Sequence, residues 1–153
     1  MRLIVTSDSH GAADRLVRAA ENQPEAAVLI FLGDGEADLD ALRRAVPNLK
    51  RIAVSGNCDS RYTDLPETEL MTFAGTRVMM THGHRFSVKS GLDGLLAAAK
   101  KCRADIALFG HTHTPYSGYE GGVRLFNPGS VREGSYGVID RTPAGLFCFH
   151  CRI

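Results

Sequence analysis

The chain lacks any strong excess of charge. Its 18 Lys and Arg nearly balance 17 Asp and Glu, for a net charge of +1 and a sequence pI of about 7.7. A basic surface built to grip extended nucleic acid pushes the pI above roughly 9, so any phosphate recognition here must be local. Long apolar runs are missing as well. The longest, Ala26 to Leu32, falls far short of the roughly 18 residues of a membrane span. The first run, Leu3-Ile4-Val5, is cut off by Asp8, too short for the apolar core of a secretory signal. A cytoplasmic protein without a membrane partner is the expectation. The four cysteines then read as reduced thiols rather than a disulfide framework. No linker, repeat or low-complexity stretch interrupts the chain, and 153 residues suffice for one domain, 1–153, with a real core.

What is present is a regular alternation of strand-like and helix-like segments. Arg2–Ser7 is a short β-branched run and reads as a strand. In Ala12–Asn22, Leu16, Ala19 and Ala20 fall at helical spacing, and Pro24 ends the pattern. Ala26–Leu32 is the continuous apolar strand of a sheet covered on both faces. Glu36–Val46 places Leu39, Leu42 and Val46 on one helical face before Pro47, and Arg51–Ser55 is a third strand. This β-α-β-α-β order predicts a parallel sheet. Glu69–Phe73 and Arg77–Thr81 flank Ala74-Gly75-Thr76 as a hairpin. Leu92, Leu95, Leu96 and Ala99 mark a helix over Gly91–Cys102, and Asp105–Phe109 is a further strand. Val123–Asn127, Ser135–Asp140 and Gly145–Cys151 predict an antiparallel ending. The sum is a two-sheet α/β sandwich with helices outside.

The polar residues fall where these strands end. Asp8-Ser9-His10, Gly33-Asp34-Gly35, Gly56-Asn57-Cys58-Asp59, His82-Gly83-His84 and Gly110-His111-Thr112-His113 each follow a strand. Ligand sites of open α/β sheets lie outside the carboxyl ends of the strands. Residues two apart in extended chain face the same way, so Asp8 with His10, and His111 with His113, can serve one centre or two adjacent ones. Five of the six histidines lie in these segments, with only His150 outside. Singly, each has an ordinary explanation. Asp8 and Asp34 could cap helices, Asn57 could make an Asx turn, and His82 could be a satisfied interior histidine. Together, and in this order, they point to a metal site. Cys148-Phe149-His150-Cys151 does not: it reads as a strand, where residues three apart face opposite sides, and no second cysteine pair completes a tetrahedron.

The blocks Asp8-x-His10, Gly33-Asp34, Gly56-Asn57, His82 and Gly110-His111-x-His113 resemble the calcineurin-like metallophosphoesterase superfamily. Gly56-Asn57-Cys58-Asp59, Thr81-His82-Gly83-His84 and Asn127-Pro128-Gly129-Ser130 are similar to its small YfcE-like phosphodiesterase branch. The resemblance spans essentially the whole chain. It implies the α/β/β/α sandwich of that family. It also implies two divalent metal ions, commonly manganese, with iron, zinc, nickel or cobalt in different members. Asp8, His10 and His113 would hold the first, Asn57, His82 and His111 the second, and Asp34 would bridge them. The implied activity is hydrolysis of small or nucleotide-like phosphodiesters, with Asp34, Asn57 and His84 in the catalytic machinery. Many larger members carry histidine where this chain has Cys58, so part of the proton supply to the leaving group is expected from His84 or from metal-bound water. A phosphomonoesterase or protein phosphatase on the same site is the alternative within the chemistry. A catalytically inactive interaction scaffold, as in the small retromer subunit, is the alternative outside it. A homodimer is the expected association state. Asp59 is expected to orient the Asn57 loop, and Glu36, Asp38 and Asp40 to form exposed early turns of a helix.

Overall fold

The computed structural model describes residues 1–153. Ten strands form two sheets of five, with three α-helices outside them. The first sheet contains β1 (Arg2–Thr6), β2 (Val28–Phe31), β3 (Lys50–Ala53), β9 (Ser135–Thr142) and β10 (Gly145–Arg152), in the order β10-β9-β1-β2-β3. The second contains β4 (Thr68–Phe73), β5 (Thr76–Thr81), β6 (Ile106–Leu108), β7 (Tyr116–Glu120) and β8 (Val123–Asn127), in the order β4-β5-β6-β8-β7. Helices α1 (Ala13–Glu21) and α2 (Leu39–Ala45) cover the first sheet, and α3 (Asp93–Lys101) covers the second. The fold is the α/β/β/α sandwich expected. No helix is long and apolar enough to cross a membrane.

The period of two along each strand explains the layering. In β1, Leu3 and Val5 enter the core between the sheets, where they meet Ile30, Met80, Ile106, Leu108 and Phe126. Ile4 points the other way, under α1 and α2, with Leu16, Leu29, Phe31 and Leu42. Met79, Ala107 and Phe109 form the matching outer face beneath Leu95 and Ala99 of α3. Strands covered on both sides must be apolar at every position, hence the unbroken run at β2. Truncating a fully buried aromatic such as Phe126 costs about 3–5 kcal/mol.

Three details differ from the sequence reading. The segment read as one helix over Glu36–Val46 opens with a 3-10 turn, Glu36–Asp38, before α2. The Asp38 amide closes on Gly35 O (2.9 Å), and the Asp38 side chain is buried rather than exposed. Strand β7 was not expected. Its Tyr-Ser-Gly-Tyr-Glu sequence is largely exposed and carries no apolar alternation, and it forms only as the outer arm of a hairpin on β8. The ending is also not purely antiparallel, because β8 lies parallel to β6. The Ala74-Gly75 turn between β4 and β5 has φ of 46° and 82°, the left-handed pair that matches strand twist.

The parallel strands β1, β2 and β3, and likewise β5, β6 and β8, run in one direction within their sheets. Each set therefore delivers its carboxyl ends together. The polar segments are the continuations of these ends.

Candidate metal centre

Six of the eight expected residues converge tightly. Donor atoms of Asp8, His10 and His113 lie within 4.8 Å of one another, and so do those of Asp34, His82 and His111. Asp34 Oδ2 stands between the two trios, 3.7 Å from His10 Nε2 and 3.3 Å from His82 Nε2. Asp8 Oδ1 is 3.1 Å from His113 Nε2, 3.7 Å from His10 Nε2 and 3.8 Å from His82 Nε2. Asn57 and His84 sit at the rim. Asn57 is exposed, with its amide nitrogen 3.4 Å from Cys58 Sγ, and both residues line a cavity that opens beside the cluster.

Each buried carboxylate has one oxygen tied down and one presented. Asp8 Oδ2 accepts the Ser7 hydroxyl (2.5 Å) and the His111 amide (3.1 Å), leaving Oδ1 without a hydrogen-bond partner. Asp34 Oδ1 accepts the Cys58 amide (2.8 Å), leaving Oδ2 toward the histidines. Neither aspartate caps a helix: α1 and the 3-10 turn begin without a side-chain cap. His82 Nδ1 is 2.7 Å from Leu32 O. A carbonyl only accepts, so Nδ1 carries the proton and the Nε2 lone pair faces the cluster. His82 Nε2 makes no hydrogen bond, although Asp34 is close. His113 Nδ1 approaches Glu133 Oε1 at 3.4 Å, which turns its Nε2 inward to within 3.3 Å of His10 Nε2.

The backbone is strained at the same place. Asp8, His10, Asp34, His111 and His113 have φ of 54°, 44°, 60°, 67° and 61°. Asp and His tolerate left-handed backbone better than most residues, yet each instance still costs on the order of 1 kcal/mol. Such strain persists at functional sites because the surroundings over-determine it. Close backbone approach adds to it. A Cβ on Gly56 would lie 2.1 Å from Asp34 Oδ1, and one on Gly110 would lie 1.9 Å from Ser7 Oγ.

Electrostatics follow from the burial. Asp8 and Asp34 are 0% and 2% exposed. Burial pushes the Asp34 carboxyl up, but His82 and the Cys58 amide outweigh it and hold the group well below the usual carboxylate range. Burial disfavours charge on His82, yet Asp34 and Asp8 reverse that and raise its pKa. His84 and His111 go down, through burial and then through the charge of His82. The Cys58 thiol is pushed up by burial and by Asp34, so it stays protonated near neutral pH. Two sequestered carboxylates with partnerless oxygen and nitrogen atoms facing each other are costly without a cation between them.

Several bracing residues escaped or exceeded the sequence reading. Asp59 was expected to orient the Asn57 loop, and its carboxylate accepts the amides of Gly56, Asp34, Gly35 and Glu36 at 2.8–2.9 Å. Asp38 accepts the Ser9 hydroxyl (2.5 Å) and the Gly11 amide (2.9 Å). Asn127 donates to Gly110 O and Thr112 Oγ1, and Ser130 donates to Asp8 O. No local motif announces Asp38, whereas Asn127 and Ser130 belong to the Asn127-Pro128-Gly129-Ser130 block that helped to carry the resemblance. Arg85 is engaged by Glu67 through three hydrogen bonds of 2.8–3.1 Å. All four cysteines are free, and Cys148 and Cys151 lie on opposite faces of β10 as expected.

A family model described as the calcineurin-like phosphoesterase superfamily domain matches residues 1–143. The chain is 34% identical over 134 residues to the probable metallophosphoesterase YsnB of Bacillus subtilis, covering 86% of this chain and 76% of that one. It is 32% identical over 168 residues to the phosphodiesterase YfcE of Escherichia coli K12, covering 92% and 88%. The solved structure of YfcE, described as a phosphoesterase, superposes with a TM-score of 0.69 at 27% identity, over 92% of this chain and 89% of that one. The zinc complex of Vps29 from Entamoeba histolytica shares the fold, with a TM-score of 0.78 at 20% identity over 99% of each chain.

Proposed function

The chain belongs to the calcineurin-like phosphoesterase superfamily, and from that premise we propose that it is a phosphodiesterase using two divalent cations on a small or nucleotide-like diester. One observation carries the reading. Asp8 Oδ1 and His82 Nε2 are buried, partnerless and 3.8 Å apart, with Asp34 Oδ2 beside them. Buried polar atoms without partners are rare, and a pair of cations, one at each atom, would satisfy them. In this reading Asp8, His10 and His113 would hold one ion and Asn57, His82 and His111 the other, with Asp34 available to both. Mixed imidazole and carboxylate donors suit Mn2+, with Fe, Zn, Ni or Co as further candidates, over Ca2+ or Mg2+. When bound, such a pair makes hydroxide available near neutral pH and neutralises charge on the phosphoryl oxygens.

The chain's own groups do the rest. The Ser7 hydroxyl with the His111 amide on one aspartate, and the Cys58 amide on the other, keep both carboxylates from turning during the reaction, so little reorganisation remains to be made. The proton held at His82 Nδ1 by Leu32 O fixes which nitrogen faces inward. We assign His84 to the leaving oxygen. Its ring lies 5.5 Å from that of His82 and 6.2 Å from that of His111, and the residue lines the open cavity. A ring proton there can pass to the departing alkoxide.

The test is a chelator-stripped protein reconstituted with single divalent ions and assayed on bis- and mono-p-nitrophenyl phosphate. Stripping should abolish turnover, manganese should restore it, and the diester should be preferred. A preference for the monoester would replace this reading with the phosphomonoesterase one. Two bound ions without turnover of either ester would favour the scaffold.

A further inference from the structure

A cavity of about 420 Å3 beside the cluster is lined by Asn57 and His84 of the candidate centre and also by Arg61, Thr63, Glu67 and Arg85. Its composition is unusual for a ligand pocket. Pockets for small molecules are lined mainly by apolar and aromatic side chains, whereas only one lining residue here, Leu65, is hydrophobic, and no Phe or Tyr contributes. A nucleobase would find no aromatic ring but the His84 imidazole to stack on, and an acyl chain no apolar wall to bury against.

The polar groups of this cavity are partly committed, and what is left uncommitted defines the occupant. Asp59 is spent on four backbone amides. Thr63 donates to Glu36. Arg61 has no side-chain partner. Glu67 and Arg85 hold each other in place through Nε and Nη2 of the guanidinium, which leaves Arg85 Nη1 as a donor and Glu67 Oε2 with a further acceptor position. A hydroxyl both donates and accepts, so a pair of neighbouring hydroxyls matches an adjacent acceptor and donor, with Arg61 as a second donor.

Building on the phosphodiesterase reading above, we infer that the cavity receives the leaving alcohol of the diester, and that this alcohol is a non-aromatic polyol, a glycerol or sugar unit. His84, the residue assigned to the leaving oxygen, lines this cavity, so an ester whose phosphorus lies at the cluster can send its departing arm into it. An arm without hydroxyls would strip water from Arg61, Glu67 and Arg85 and return nothing, which is how polar sites discriminate.

The experiment uses the full chain reconstituted with manganese and a set of symmetric diesters of primary alcohols: diglyceryl phosphate, a phosphate joining two sugars through their primary hydroxyls, and dibenzyl phosphate. Bis-p-nitrophenyl phosphate serves as the reference. The polyol diesters should exceed dibenzyl phosphate in kcat/KM by about tenfold or more, the scale of one hydrogen bond to a charged group. The sugar and glycerol members separate the two polyol sources. Arg61→Ala and Glu67→Gln should erase that gap, mainly by raising KM for the polyol diesters. Equal or better hydrolysis of dibenzyl phosphate, or a gap that survives both substitutions, overturns the polyol assignment alone. Failure to hydrolyse any diester, the reference included, overturns it together with the phosphodiesterase reading.

Discussion

The two halves of the candidate centre are built differently. In the half formed by Asp8, His10 and His113, a 0% exposed carboxylate is fixed by Ser7 and the His111 amide, and two histidines close on it from left-handed backbone. In the half formed by His82, His111 and Asn57, one histidine is fully buried and locked by Leu32 O, but Asn57 is exposed and its amide faces a cysteine rather than the cluster. On the proposed ligand set, one half is already in place, while the other would be complete only if Asn57 turned inward. The difference teaches where the energy lies. A preorganised donor set costs backbone strain in the empty protein and repays it in affinity, whereas a donor on the rim costs nothing until it is used. The first half should therefore bind a cation more tightly than the second.

The largest test removes what both halves share. Asp34→Asn keeps the shape but takes away the carboxylate between the trios, and should lower manganese-dependent kcat by well over the 10–100-fold typical of supporting residues, with fewer than two ions retained by elemental analysis. Two retained ions and near-normal turnover would show that the halves are independent. Next in size are His10→Ala and His82→Ala. Each should reduce the bound ions from two to one in calorimetric titration. The ion lost with His10 should be the tighter, and the weaker should disappear with His82. If both substitutions removed the same phase, the division into halves would be wrong.

A smaller effect is expected from Asp59→Asn. Its carboxylate gathers four amides that position Asp34 and the Asn57 loop, and an amide side chain can accept only through one oxygen. Turnover should fall about 10–100-fold, while the weaker ion site suffers more than the tighter one in the same titration. Equal loss at both sites would assign Asp59 to overall stability instead.

The ease with which these residues could be found in the sequence followed the same division of labour. The side chains pointing into the cluster were legible because each sits immediately beyond an apolar strand, and parallel strands deliver their ends to one place. The strands themselves were legible from their apolar runs, to within a residue or two. What holds the cluster was less legible. Ser9 meets Asp38 across 29 positions and Asn127 meets Gly110 across 17, and no local periodicity encodes a hydrogen bond between two loops. Strand β7 was missed for a related reason: its exposed Tyr-Ser-Gly-Tyr-Glu becomes a strand only because β8 offers it an edge. The same tertiary bonds turned the start of the second helix into a 3-10 turn, where a helical pattern alone predicts continuity.

The smallest expected effect is on stability, and it separates the halves without any assay of activity. Without metal, Asp8 retains a buried oxygen with no partner, a defect worth about 1–3 kcal/mol. Asp8→Asn removes the charge while keeping the shape. In chelator it should raise the melting temperature by about 2–12 °C, at the roughly 2–4 °C per kcal/mol of a chain this size. Asn57→Ala alters an exposed residue and should stay within about 0.5 kcal/mol of the parent. Adding manganese should reverse the order. Saturation to about a hundredfold over Kd stabilises the parent by about 2.7 kcal/mol, and Asp8→Asn should forfeit most of that gain, because the amide no longer offers an anionic oxygen. A chelated Asp8→Asn protein less stable than the parent would mean that the Ser7 and His111 donors already stabilise the carboxylate without an ion. The first half would then not be a preformed cation site.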